Sequence, residues 1–247
     1  SGPTKPRSLL FKEPDGSVRG GGEKRFTVAS EYGLAKAHHE ALLAAGAPCV
    51  MRNVHWDDAT LRMVWTPLEG GMAAHATDAV GPVGSFGIPI FVMPLRKLGL
   101  CQLRRGDEIA AHWGNPHAVR AVAEHCLVAR TLQIGDINGR NFLTALCPRS
   151  MPVAIDAAEQ DSGDDFDYAA TKISQLVFTS NNDGRPTPQL AGAIDRAVWP
   201  RAGAILRQYE AIDFDGILSR WSMHERIPTA RRRIQTISKV LELARGG

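Results

Sequence analysis

The chain has few cysteines and no long hydrophobic run. Four cysteines occur in 247 residues, at positions 49, 101, 126 and 147. They are far apart and lack C-x-x-C spacing, which fits neither a disulfide framework nor a zinc site. No apolar run approaches the roughly 20 residues needed to span a bilayer, and no signal peptide is recognisable. We therefore expect a cytoplasmic protein without a membrane span.

The chain also has no strong excess of charge of one sign. Its net charge is +3, with 44% hydrophobic and 22% charged residues, which is ordinary for a soluble globular protein. This balance gives no reason to expect a nucleic-acid partner. The only dense basic cluster consists of Arg231, Arg232 and Arg233, which we interpret as the solvated face of a C-terminal helix.

Two further kinds of site are missing from the sequence. The eight histidines form no H-E-x-x-H motif, so no zinc-hydrolase site is predicted. Ser85 stands in Gly-Ser-Phe-Gly rather than the G-x-S-x-G motif of a nucleophile elbow. His125 falls within a predicted helix, where we expect it on the polar face or in the core.

The first third of the chain is predicted to be rich in β-structure. Strand-like segments at 8–13, 17–19 and 23–28 are separated by a turn at 14–17 and by the glycines at 20–22. A helix is predicted over 30–46, with Ser30 as N-cap and Gly46 at its end. Strands are predicted at 49–55 and 61–66.

The remainder is predicted to be mainly helical. Asn115 and Pro116 are typical of a helix start, and apolar residues then recur at helical spacing. A short strand is predicted at 152–155, followed by helices over roughly 166–179, 187–210 and 228–245. The fold class predicted from this order is α+β, and the length allows one large domain or two small lobes with a shared cleft.

The most specific local string is Gly-Asp-Ile-Asn-Gly-Arg-Asn-Phe-Leu at 135–143. In it, Asp136 precedes Asn141 by five positions, and a short apolar strand ending in Asp156 follows. A carboxylate can orient an attacking hydroxyl and accept its proton, while carboxylate and amide oxygens are suitable ligands for Mg²⁺. The pattern resembles the catalytic and metal-binding loops of the protein-kinase superfamily, and this resemblance implies phosphoryl transfer.

Upstream features occur in a matching order. Lys24 lies in a strand-like segment, and Glu40 stands eight residues before Pro48 near the end of the predicted helix. Residues 62–71 end in Leu-Glu-Gly-Gly. Together with the string at 135–143 and Asp156, this ordered set resembles the protein-kinase superfamily over about residues 8–178. The resemblance implies a bilobal fold, with a small β-rich N-lobe at 1–71, a hinge near 66–70, and a reduced helical C-lobe at 72–247.

The resemblance also implies roles for individual residues, with ATP and Mg²⁺ as cofactors. Asp136 would be the catalytic base, and Asn141 and Asp156 would bind the metal. Lys24 would hold the α- and β-phosphates and form an ion pair with Glu40. The other implied nucleotide contacts are the backbone of Thr66 and Leu68, the apolar side chain of Leu143 beneath adenine, and Gly16 in the glycine-rich loop. Lys12, in another strand-like segment, is the alternative candidate for the phosphate-binding lysine.

The chain departs from the family in several places. Neither Gly16 nor the glycines at 20–22 match G-x-G-x-x-G, Ala157 and Ala158 replace the usual Phe-Gly, and Gly135 replaces an arginine. Asp167 follows Asp156 by only eleven positions in the sequence, which leaves no room for a long activation segment. Asp167 is expected to open the helix that supports the catalytic loop.

Two classes of acceptor remain open. Gly135 and Asn138 are similar to aminoglycoside and choline phosphotransferases, and the acidic residues at 159–165 could attract a cationic small molecule. The Leu-Glu-Gly-Gly hinge and the Asp-Tyr-Ala at 167–169 are closer to protein kinases, including the compact ones that bacteria deliver into host cells as effectors. We expect a serine/threonine-protein kinase. A small-molecule kinase, a nucleotidylating enzyme and a catalytically silent scaffold are the alternatives.

Overall fold

A computed structural model describes residues 7–12, 18–47, 50, 54–65, 92–94, 116–135, 142–145, 153–154, 166–177 and 188–246. The strands are β1 Arg7–Lys12, β2 Val18–Arg25, β3 Val54–Asp57, β4 Arg62–Trp65, β5 Val92–Pro94, β6 Phe142–Ala145 and β7 Val153–Ala154. The α-helices are α1 Ala29–Ala44, α2 Pro116–Thr131, α3 Ser174–Val177, α4 Pro188–Val198, α5 Ala202–Glu210, α6 Phe214–Arg220 and α7 Ile227–Gly246. The α+β fold class is therefore confirmed.

The N-terminal strands form one antiparallel sheet in the order β1-β2-β4-β3. β2 is an interior strand, and the glycines at 20–22 lie within it, with Gly20 opposite Leu10 and Gly22 opposite both Ser8 and Trp65. The predicted break at these glycines is wrong. All three glycines pair with β1, and Gly22 also pairs with β4, so strand pairing outweighs the weak strand preference of glycine.

Helix α1 agrees with the helix predicted over 30–46. Its N-cap is Val28, which makes no side-chain capping bond, so the prediction of Ser30 as the cap is wrong. Gly46 has a φ of 63° and ends the helix as predicted. Ala47 N donates to Leu42 O and Gly46 N to Leu43 O, each at 3.0 Å, which is the Schellman arrangement.

One face of α1 packs on the sheet. The ring of Tyr32 makes edge contacts with Phe26 and Trp56, each with ring centroids 5.5 Å apart. The ring of His39 also contacts Trp56. Since Trp56, Met63 and Lys24 are cross-strand neighbours, they share this covered face of the sheet.

The other faces of α1 pack on the helices. The rings of His38 and His125 are 4.8 Å apart and join α1 to α2. A Cβ placed on Gly33 would lie 3.1 Å from Met223 Cε, so the backbone of α1 approaches the residues after α6 closely. A continuous hydrophobic core includes α1, α2 and the C-terminal helices. Helix α1 is therefore the element shared by the sheet and the helical part.

A second antiparallel sheet has the order β5-β6-β7. In it, Phe142 is opposite Ala154 and Leu143 is opposite Val153. The short strand predicted at 152–155 is thus present at 153–154.

The C-terminal helices differ from the prediction in three places. The helix predicted over 187–210 is interrupted by a 3₁₀ turn at Trp199–Arg201, because Pro200 has no N–H and its ring crowds the preceding turn. The helix predicted over 166–179 is replaced by turns at 166–173 and the short α3. Helix α6 was not predicted, and Asp213 caps it by accepting a hydrogen bond from Gly216 N at 2.9 Å.

The last helix, α7, agrees with the helix predicted over 228–245. Within the part of the chain that the structure describes, no helix has the length and apolar character needed to cross a membrane.

Candidate functional site

The structure describes only some of the predicted site residues. Lys24 and Glu40 are described with their side chains, and Leu143 is placed in β6. The other predicted site residues lie outside the described residues: Gly16, Thr66, Leu68, Asp136, Asn141 and Asp156. The acidic residues of 159–165 lie outside them too.

Lys24 lies on the covered face of the interior strand β2. It is opposite Met63 on β4, and its residue is only 6% exposed. Its Nζ is 5.2 Å from the centre of the Phe26 ring, within cation–π range. Lys12 is at the end of the edge strand β1 instead, opposite Val18.

Glu40 does not form the predicted ion pair with Lys24. Its Oε1 is 2.8 Å from Arg220 Nη2, and its Oε2 accepts a hydrogen bond of 2.9 Å from Trp221 Nε1. Among the described residues, no ion pair joins Lys24 to Glu40. Helical periodicity explains the difference, because Glu40 shares a stripe with Gly33, which faces the turn after α6, rather than with Tyr32, which faces the sheet.

A second polar cluster fastens α1 to the turn between β3 and β4. Asp58 accepts hydrogen bonds from Tyr32 Oη at 2.7 Å and from Lys36 Nζ at 2.6 Å. The bond from Lys36, then that from Tyr32, lowers the pKa of Asp58. Lys36 Nζ also lies 4.2 Å from the centre of the Trp221 ring. Lys36 therefore links the sheet, α1 and the segment after α6, a role that sequence reasoning missed.

The two histidines between α1 and α2 are buried. Burial lowers the pKa of His38 well below its usual value, with smaller contributions from His125 and His39. Burial lowers the pKa of His125 to about 3. Both rings are therefore neutral at pH 7, and His125 is a core residue rather than a polar-face residue.

Helix α2 ends a few residues before Asp136. Gln133 adopts the left-handed conformation with a φ of 60°. Ile134 N donates to Ala129 O at 3.0 Å and Gln133 N to Arg130 O at 3.2 Å, which is again a Schellman arrangement. The described segment ends at Gly135, one residue before the predicted catalytic base.

Two buried arginines from the C-terminal part bind backbone carbonyl oxygens at this end of α2. Arg226 Nη1 donates to Leu132 O at 3.1 Å and to Gln133 O at 3.4 Å, and Gln133 Nε2 donates back to Arg226 O at 3.1 Å. Arg233 Nη1 donates to Arg130 O at 2.7 Å.

The prediction of a solvated arginine cluster at 231–233 is consequently wrong for Arg233, which is fully buried. It is correct for Arg231, which is exposed and pairs with Asp215 at 2.6 Å. On a helix, consecutive residues point about 100° apart, so a run of three arginines cannot all face solvent when one side of the helix is buried.

Phe166 connects Arg233, and with it Arg130 of α2, to a second segment. The guanidinium carbons of Arg233 and Arg130 lie 4.7 and 5.6 Å from the centre of its ring. The next residue, Asp167, accepts a hydrogen bond from Ala169 N at 3.0 Å in a turn. Asp167 therefore stabilises a turn and does not open a helix, contrary to the expectation.

The predicted metal ligands Asn141 and Asp156 lie outside the described residues, close in sequence to the paired strands β6 and β7. Asn141 directly precedes Phe142, and Asp156 follows Ala154 by two residues, while Phe142 and Ala154 are opposite each other. Amide and carboxylate oxygens suit Mg²⁺. Within the described ranges, no group of three or more His, Cys, Asp or Glu residues is arranged to hold a metal ion.

The sequence matches no protein-family model and no curated protein at a significant level. What the protein does is therefore inferred from its own residues.

Proposed function

We propose that this chain is an ATP-dependent phosphotransferase with a protein-kinase-like fold, with an N-lobe at 1–71 and a C-lobe at 72–247. One observation supports the proposal: Lys24 is buried on an interior strand, and α1, the strands β3 to β5 and α2 follow it in the chain before Asp136. This order of elements is consistent with a protein-kinase-like fold. Asn141 and Asp156 are close in sequence to the paired strands β6 and β7.

In this proposal the protein acts by positioning and by charge. Lys24 would bind the α- and β-phosphates, and Asn141 and Asp156 would hold Mg²⁺, which would neutralise charge on the phosphates. Asp136 orients the acceptor hydroxyl and accepts its proton. The acceptor oxygen forms a bond to the γ-phosphorus, and the bond between the γ-phosphorus and the oxygen that bridges it to the β-phosphorus breaks. The products are a phosphate ester and ADP.

The remaining nucleotide contacts follow from the same arrangement. The backbone of Thr66 and Leu68 directly follows β4 and binds the adenine edge. Leu143, in the centre of the second sheet, packs beneath the ring, and Gly16 belongs to the connection between β1 and β2 that covers the phosphates.

Glu40 has an indirect role here. Its carboxylate forms an ion pair with Arg220 and accepts a hydrogen bond from Trp221, and these contacts hold α1 in place. Helix α1 in turn supports the sheet face that bears Lys24.

The proposed acceptor is a serine or threonine hydroxyl of a protein, in the cytoplasm or in a host cytoplasm. A small-molecule alcohol and nucleotidyl transfer are alternative outcomes of the test below, and a catalytically silent scaffold is the outcome without turnover.

The test is incubation of the protein with ATP labelled at the γ-phosphate, Mg²⁺ and a cell lysate, in parallel with Asp136→Asn. We expect labelled protein bands that are missing with Asp136→Asn and after magnesium chelation. Label on aminoglycosides or amino-alcohols, without labelled protein, would assign the small-molecule reaction. Label from α-phosphate-labelled ATP would indicate nucleotidyl transfer, and no turnover in any assay would contradict the proposal.

A further inference from the structure

The C-terminal end of α2 is held by side chains that come from about 100 residues later. The last carbonyls of a helix have no partners within it and carry its partial negative charge. Arg226 binds two of the carbonyls at this end, Leu132 O and Gln133 O, and Arg233 binds a third, Arg130 O. Arg226 and Arg233 are 8% and 0% exposed. A buried guanidinium, with five donors in a fixed plane, suits several carbonyls that point in similar directions.

The contact with Arg226 supports an unusual backbone conformation. Residue C′ of a Schellman motif is most often glycine, because other residues are strained at positive φ. Here it is Gln133, with a φ of 60°. Its side chain donates to the backbone of Arg226 while its carbonyl accepts from the Arg226 side chain. This reciprocal pair favours the one conformation that directs the chain into Gly135.

Arg233 acts on a second chain segment at the same time. It binds the carbonyl of Arg130, six residues before Asp136, and it stacks on Phe166, ten residues after Asp156. One buried side chain of α7 therefore contacts segments that lead to both proposed functional carboxylates.

We propose that Arg226 and Arg233 are positioning residues: through them the C-terminal helical part fixes the backbone of residues 130–133, the segment that leads to Asp136. This inference rests on the proposed function. Displacement of a catalytic group by about 1 Å, through a change far from the chemistry, can lower a rate by about a hundredfold. Because Lys24 is proposed to bind the phosphates and Asp136 to act on the acceptor hydroxyl, nucleotide affinity should change much less than the rate.

The test compares Arg226→Lys and Gln133→Ala with the control Arg231→Lys. Lysine keeps the charge of Arg226 but cannot reproduce its planar arrangement of donors. Gln133→Ala removes only the hydrogen bond from the Gln133 side chain to the Arg226 carbonyl. Because Gln133 is partly exposed, this variant should fold even if Arg226→Lys does not. Arg231 belongs to the same arginine run but is exposed and paired with Asp215.

Two measurements are needed for each variant. The first is steady-state ATP turnover with the acceptor found in the labelling assay, separated into kcat and KM for ATP. The second is amide hydrogen exchange of residues 132–135 in the nucleotide-free protein, which does not depend on activity. For Arg226→Lys we expect kcat to fall by about tenfold to a hundredfold, a KM within about threefold of the wild type, and faster exchange at 132–135. Gln133→Ala should show the same changes at smaller size, and Arg231→Lys none.

The possible failures are distinguishable. Unchanged kcat and unchanged exchange in Arg226→Lys would overturn the inference, as would an equal rise in exchange across α2 and α7, which would indicate general destabilisation. If the wild type shows no turnover, the proposed function fails, and the exchange measurement alone decides whether Arg226 holds the loop.

Discussion

Trp221 donates its indole N–H to the carboxylate of Glu40, with 2.9 Å between Nε1 and Oε2 and 181 positions between the two residues in the sequence. The same carboxylate pairs with Arg220, whose side chain is more than half exposed. The two contacts differ in strength, because exposed ion pairs contribute little whereas a hydrogen bond from a partly buried indole to a charged acceptor contributes more.

The first prediction separates these two contacts. Glu40→Gln retains an acceptor for Trp221 and loses the charge, so the free energy of unfolding should fall by less than about 1 kcal/mol. Glu40→Ala loses both contacts and should lower it by about 1–3 kcal/mol. Urea denaturation of both variants measures the difference. Equal losses in the two variants would show that the ion pair with Arg220 is the main contact.

The second prediction concerns pH. The unfolded chain protonates His38 and His125 near their ordinary pKa of 6.5, whereas burial keeps the pKa of each folded histidine far lower, at about 3 for His125. The unfolded state therefore binds more protons than the folded state below pH 6.5. The stability from neutral burial is complete above pH 6.5 and falls by up to about 1.4 kcal/mol per pH unit for each histidine as the pH drops.

Urea denaturation between pH 7.5 and 5 checks this slope. His125→Phe keeps an aromatic ring against His38 and removes one titrating group, so the slope should become about one proton shallower. A wild-type stability independent of pH over this range would contradict the burial of both rings.

The third prediction concerns the end of α1. Nothing lies within 4 Å of a Cβ built on Gly46, so Gly46→Ala introduces no clash, but the φ of 63° is strained for alanine. The variant should lose about 1 kcal/mol of stability from the backbone alone. Gly246 also has open space around it. Because no positive φ accompanies it there, Gly246→Ala should have no measurable effect on the denaturation midpoint.

The fourth prediction distinguishes the two lysines proposed for nucleotide binding. Lys24→Met replaces a buried ammonium by an apolar side chain of similar length, so the protein should remain folded. It should, however, weaken ATP–Mg²⁺ binding by about tenfold or more if Lys24 contacts the phosphates. Lys12→Met, on the edge strand, should bind as the wild type does.

Thermal denaturation with and without ATP–Mg²⁺ measures this effect. A ligand at a hundred times its dissociation constant stabilises a protein by about 2.7 kcal/mol, so the upward shift in Tm should be clear for the wild type and for Lys12→Met. A full shift in Lys24→Met, with none in Lys12→Met, would reverse the assignment.

Helices whose signals are local could be predicted from the sequence. Apolar residues at helical spacing, Pro116 at a first position and Gly46 at an end identify α1, α2 and α7, because these preferences act within a few residues. The interruption at Pro200 was a local signal that the prediction overlooked. Helix α6 was missed too, although Asp213 is an ordinary capping residue.

Partners across the chain were harder to predict. The order of Lys24, Glu40, Asp136, Asn141 and Asp156 was enough to suggest a reaction. It was not enough to show that Glu40 binds Trp221 or that Arg233 is buried against Phe166, because a charged side chain has the same local sequence signature whether it faces water or a distant segment.

The sequence alone determined the α+β class and the helices α1, α2 and α7, since these depend on short-range spacing and on residue type, and it suggested the candidate chemistry. Only the tertiary structure decided which face of α1 meets the sheet, which arginines are buried, and what holds the chain before Asp136. Those outcomes depend on packing between segments far apart in the chain, where the free energy of burying a side chain is set by neighbours that its own sequence context does not specify.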